Sequence, residues 1–102
     1  MSLVVGLRSG EGDLVDDVVP PPGAGSFTAL VADREEYPLL RWIDPYGDTV
    51  FSQLQMRGLI PELERLMRET TDDGHSEVIR SVLGLSERCA ALPHYQLVFV
   101  GD

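Results

Sequence analysis

Apolar residues recur along the chain with two different periods. Over 58–69, Leu59, Ile60, Leu63, Leu66 and Met67 return every three or four positions and predict a helix with one apolar stripe. Pro61 is expected in its first turn, Glu62 and Glu64 at the positive end of its dipole, and Arg65 and Arg68 towards the negative end. Glu64 and Arg68 are spaced as an i,i+4 ion pair worth about 0.2–0.5 kcal/mol. A second helix is predicted over 76–92 from Val78, Val82, Leu85, Cys89 and Leu92, widened by Ile79, Leu83 and Ala90. Pro93 stops it. Gly84, which costs about 1 kcal/mol against alanine inside a helix, is expected to admit another element closely.

The other period is the two-residue alternation of strands, seen with Tyr95, Leu97 and Phe99 in 94–100. The Val- and Leu-rich run 2–8 reads as a first strand, SGEGD (9–13) as a turn, and LVDDVV (14–19), which also fits a helical face, as the strand completing a hairpin. PPPGAG (20–25) is a connector without regular structure, and SFTALVA (26–32) fits either a short helix capped by Ser26 or another strand. YPLLRWI (37–43) is expected as a strand, with Leu39, Arg41 and Ile43 on one face and Leu40 and Trp42 on the other, paired antiparallel with TVFSQLQ (49–55). Between them Asp44-Pro45-Tyr46-Gly47 matches a type I turn: Asp caps with its side chain, Pro presets φ, and Gly supplies positive φ for a G1 bulge.

These elements predict one α+β domain over 1–102: an antiparallel or mixed sheet of four or five strands, covered on one face by a two-helix hairpin. At 43% hydrophobic residues the chain has material for a core.

Charge narrows the partners. The net charge is −9, with nine acids against three arginines in residues 1–50 and eight against five in 51–102. Such a field opposes nucleic acid and anionic membranes, which are bound through Lys and Arg, and suits a basic protein. All eight bases are arginine and asparagine is absent, which reads as the codon bias of a GC-rich bacterial genome. No basic leader precedes the first apolar run and no stretch approaches the roughly 20 apolar residues of a membrane span, so a cytoplasmic protein is expected. One cysteine, Cys89, excludes an internal disulfide.

Candidate chemistry is sparse. Asp72, Asp73, His75 and Glu77 lack the spacing of an EF-hand loop or a zinc helix and read as helix caps, so no metal is expected. Cys89 lies on an apolar seam, where a thiol is an inert hydrophobe rather than a nucleophile served by His94. GLRSGEGD is no phosphate loop, no hydrolase or metalloprotease motif is present, and no cofactor is expected. The chain therefore reads as a binding protein and not an enzyme. Its candidate partner-binding residues are the acids of the first hairpin, Glu11, Asp13, Asp16 and Asp17, and the acidic-aromatic tip Asp44, Tyr46 and Asp48.

The segment LLRWIDPYGDTVFSQLQ (39–55), with ELERL (62–66) and the closing LVFVGD (97–102), resembles a group of small uncharacterised bacterial proteins. The resemblance covers about the C-terminal two-thirds of the chain. It implies the order strand–turn–strand–helix–helix–strand and carries no activity, cofactor or catalytic residue. In size and acidity the chain is also similar in type to immunity proteins of toxin–immunity pairs. Three functions compete: an immunity- or antitoxin-like inhibitor of a basic partner, a self-associating homodimeric module that buries an uncovered sheet face, and, ranked last because no spacing supports it, a small enzyme or ligand binder using some of Asp44, Asp48, His75 and His94.

Overall fold

The computed structural model describes residues 4–18, 31, 34–44, 46–71 and 73–101, with only the backbone of 16–18. The expectations for 20–25 and, apart from Val31, for 26–32 lie outside them.

Among the described residues the fold is α+β. Strands β1 (Val4–Arg8) and β2 (Leu14–Val18) form the expected hairpin. Its turn is closed by Ser9 N–H donating to Asp13 O at 2.8 Å and Gly12 N–H to Ser9 O at 2.9 Å, with Gly12 at φ +94°, a region open to glycine because it has no Cβ. A bulge between Leu7 and Arg8 shifts the register. Strands β3 (Asp48–Ser52) and β4 (Gln96–Val100) complete an antiparallel sheet in the order β2-β1-β4-β3. Helices α1 (Met56–Glu69) and α2 (Asp73–Ala91) form a hairpin in which α2 lies across β1, β2 and β4 and α1 packs on α2.

Register decides which side chains meet the helices. Val5 pairs with Phe99, Leu7 with Leu97 and Phe51 with Leu97, so these five share the face that joins the core with Leu59, Leu63, Ile79, Val82 and Cys89. Phe51 and Phe99 meet edge to face, with centroids 5.7 Å apart. The opposite face carries Val50, Val98 and Val100, of which Val50 and Val100 are exposed.

The stretch 37–43 corrects the sequence reading. It is not a strand and does not pair with β3, which pairs with β4 instead. The chain turns through 35–39 into a single 3-10 turn, Leu40–Trp42. Tyr37, Leu40 and Ile43 are buried at intervals of three, the period of that helix, while Trp42 is 72% exposed. Two carboxylates of α1 hold the segment. The Glu62 carboxylate accepts from Leu39 N–H at 3.0 and 3.2 Å and from Leu40 N–H at 3.0 Å, and Glu69 accepts from the Tyr37 hydroxyl at 3.0 Å. The segment thus runs antiparallel along α1, from Glu69 past Glu62 to Gly58, where an added Cβ would lie 3.0 Å from Leu39 Cδ1.

Smaller corrections follow from the same packing. The Asp44 turn exists, with Tyr46 N–H donating to Asp44 Oδ1 at 2.8 Å and Gly47 N–H to Asp44 O at 3.5 Å. Gly47 does not have positive φ, however, so the turn leads into β3 without the expected glycine bulge. Residues 53–55 leave the strand and wind through i→i+3 bonds into α1, which starts at Met56 and leaves Pro61 in the second turn. Arg65 pairs with Glu69 at 2.8 Å, and the expected Glu64–Arg68 pair is not formed. Helix α2 begins at Asp73, earlier than position 76. Gly84 is exposed with nothing within 4 Å of an added Cβ, so it admits no neighbour.

Candidate functional site

Three connections meet at one end of the sheet: the β1–β2 turn (9–13), the β3–α1 link (53–55) and the α2–β4 link (92–95). They are locked together. A Cβ on Gly10 would lie 2.9 Å from both Cβ and O of His94, so the turn rests against backbone that only glycine lets it approach. His94 itself sits at φ +68°, a left-handed conformation uncommon outside glycine, in which histidine is among the more tolerated residues. Gln53 Nε2 donates to Ala90 O at 2.9 Å, satisfying a carbonyl at the C-terminus of α2. Gln55 Oε1 accepts from Ser52 N–H at 2.8 Å and closes that end of the β3 edge.

A concave strip runs over these links. Its first hollow, of about 550 Å³, lies between the start of α1 and the end of α2, over Met56, Arg57, Ile60, Pro61 and Ala90. Gln53 and Leu54 are shared with the next, of about 390 Å³, which reaches Ser52, Gln96 and His94. Gly10, His94 and Tyr95 are shared in turn with a third, of about 650 Å³, bounded by Ser9, Glu11, Asp13 and Pro93. The charge on the strip is Arg57 at the helix end and Glu11 and Asp13 at the turn end. Leu54 stands on it 70% exposed.

Of the residues expected to bind a partner, the structure brings Glu11 and Asp13 onto this strip, both exposed. Asp16 and Asp17 lie in β2, paired with Leu7 and Gly6. Asp44, Tyr46 and Asp48 are exposed at the other end of the sheet, where Asp48 pairs with Val100. That corner is about 13 Å away along the strands and about 14 Å across them, so the hairpin turn and the 44–48 tip stand at diagonally opposite corners of the sheet. The sequence does not indicate Leu54, Arg57 or Ile60 as site residues, and it offers His94 only to an enzyme or small-ligand reading. The available signal was the break Pro93-His94-Tyr95 between helix and strand, together with an exposed leucine between two glutamines.

The strongest electrostatic cluster is structural. Tyr37 lies under the Arg34 and Arg65 guanidinium groups, 4.9 and 5.8 Å from its ring centre, and Arg34 and Arg65 both pair with Glu69, at 3.0 and 2.8 Å. Hydrogen bonds from Arg65, Arg34 and Tyr37 hold the Glu69 carboxyl down to about 2. Burial pushes the Glu62 carboxyl up, opposed by its bonds from Leu40 and Leu39. Burial also raises the Cys89 thiol, which is enclosed in the core. The first N–H groups of α1 already donate to Gln53, Leu54 and Gln55 carbonyls, so they offer no anion site.

Compared with protein families, with characterised proteins and with solved structures, the chain finds no match. The chemistry of the strip is an exposed leucine and a hollow between two helix ends, beside unpaired carboxylates.

Proposed function

We propose that this protein is a small acidic protein-binding module, an immunity- or antitoxin-like inhibitor of a basic partner, acting in the cytoplasm and without catalytic activity. The observation that carries the reading is the pairing on one strip of exposed Leu54 with the exposed carboxylates Glu11 and Asp13. Neither carboxylate has an ion-pair partner among the described residues, so both keep their field for a ligand. The net charge of −9 adds long-range attraction for a basic surface and repels nucleic acid. No helix among the described residues is long and apolar enough to cross a membrane.

The test is affinity capture from a cell lysate, washed first at about 0.1 M and then at about 1 M salt, which shortens the screening length from about 10 Å to about 3 Å. One basic protein retained in near-equal amount at low salt and shed at high salt supports the reading. A partner held equally well at both salts contradicts its electrostatic basis.

Self-association is the second reading, favoured by exposed Val50 on the edge strand β3 and exposed Val100 on β4 next to it. The charge of each copy opposes it. A mass in solution that stays monomeric at high micromolar concentration removes it.

A further inference from the structure

We propose that the hollow between the start of α1 and the end of α2 seats one apolar anchor side chain of the basic partner, with arginines or lysines of the same partner segment on either side of that anchor. The inference rests on the reading above and adds where the partner docks and what its segment must contain.

The hollow is shaped for an apolar group. At about 550 Å³ it lies in the range of about 300–1,000 Å³ of ligand-sized clefts. It is lined by Met56, 1% exposed, by Ile60, Pro61 and Ala90, and by Leu54, 70% exposed. Its polar groups are largely committed. The Gln53 amide is bonded to Ala90 O, the N–H groups of Met56 and Arg57 donate to Gln53 and Leu54 carbonyls, and Pro61 has no N–H. Besides the exposed Arg57 guanidinium, the larger part of what remains to offer is apolar surface, the part of an interface where anchor residues bind.

The surrounding charge selects the partner. Glu64 follows Ile60 by four residues and Glu87 precedes Ala90 by three, so helix periodicity sets each on the same side of its helix as the hollow. Both are exposed, and neither has an ion-pair partner among the described residues. In the other direction the strip leads past Leu54 and His94 to Glu11 and Asp13. An apolar centre is thus flanked by carboxylates on both sides. Arg57 contributes one positive charge on the lining itself, which keeps the partner's bases off the anchor position and out towards the two acidic ends.

The probe is a blocked pentapeptide, Arg-Arg-Trp-Arg-Arg, titrated into the isotopically labelled protein and followed by amide shifts. A control peptide replaces tryptophan by glycine. The expected result is saturable shifts at Leu54, Met56, Ile60 and Ala90 with the first peptide, lost with the control. Affinity should fall by at least about tenfold in Ala90→Arg, an exposed site whose unchanged amide spectrum shows the fold is kept. Leu54→Ser should weaken binding in the same direction. Shifts confined to Glu11 and Asp13, equal for both peptides, would overturn the anchor while leaving an acidic binding module intact. Groove shifts that grow with protein concentration alone would assign the hollow to a second copy of this chain and overturn it too. Absence of any shift would overturn the anchor, and the salt-washed capture separately decides whether the module has a basic partner at all.

Discussion

Oε1 of Glu62 accepts the backbone N–H of Leu40 at 3.0 Å, joining a charged residue of α1 to the start of a 3-10 turn 22 positions earlier in the chain. Glu62 is only 8% exposed, and its carboxylate also accepts from Leu39 N–H, so one buried and one partly buried backbone donor depend on one side chain. The sequence places Glu62 at the positive end of the α1 dipole. Its partner is the 3-10 segment, whose Leu39 and Leu40 N–H groups find their acceptor in this carboxylate.

Glu62→Ala is therefore expected to cost about 2–4 kcal/mol, since a buried donor left unpaired costs about 1–3 kcal/mol and the partly buried Leu39 N–H adds less. Glu62→Gln keeps one oxygen within reach of both donors and should cost clearly less. Urea unfolding of the two variants against the parent measures this; equal losses would show that the carboxylate's charge, and not its acceptor geometry, holds the segment.

The two carboxylates that clasp 34–43 act oppositely with pH. Glu69 titrates near 2 in the folded protein against an ordinary 4.5, so its contribution is complete above about 4.5 and is lost as pH falls towards 2. Glu36, lowered by its own backbone N–H and then by Arg34, adds in the same direction. Glu62 is raised by burial, so its contribution is greatest below 4.5 and is lost as pH rises through its raised value. Glu69→Gln should flatten the acid limb of the stability curve and Glu62→Gln the limb above it, as read from unfolding midpoints across that range. An acid limb unchanged in Glu69→Gln would remove the clasp as its cause.

Two glycines should respond with opposite signs. Gly84→Ala meets nothing within 4 Å and should stabilise by about 1 kcal/mol, the helix-interior difference between the two residues. Gly10→Ala drives a methyl to 2.9 Å from backbone and Cβ of His94 and should destabilise, because that backbone cannot swing aside as a side-chain tip can. Thermal midpoints of the pair check both, and a loss in Gly84→Ala would mean α2 is packed there.

His94→Gly should stabilise by about 0.5–1 kcal/mol, the left-handed strain of about 1–2 kcal/mol less the entropy glycine loses on folding. If the imidazole takes part in binding, affinity for the partner falls in the same variant. A more stable variant with unchanged affinity would make His94 a structural corner of the strip only.

Much of the architecture was legible because it is local. Both helices, the first hairpin and the last strand follow from residues whose neighbours in sequence are their neighbours in the element. Residues 37–43 were misread because bulky Tyr, Leu, Trp and Ile favour strands, whereas the spacing of three that buries Tyr37, Leu40 and Ile43 is realised only against α1. The site was less legible still. Glu11 and Asp13 stood out by charge, but the hollow beside them is made by the end of one helix and the start of another, about 30 residues apart in sequence, and no local pattern in 53–61 marks it.

The account is tested most directly by the dissociation constant for the basic protein retained in the salt-washed capture, measured at about 0.1 M and about 1 M salt for the parent and for a Glu11→Arg, Asp13→Arg double variant. A constant that weakens at least about tenfold with salt in the parent, and a double variant that is already weak at low salt, is the expected result. A constant indifferent both to salt and to the reversed charges would contradict an acidic binding strip at this end of the sheet.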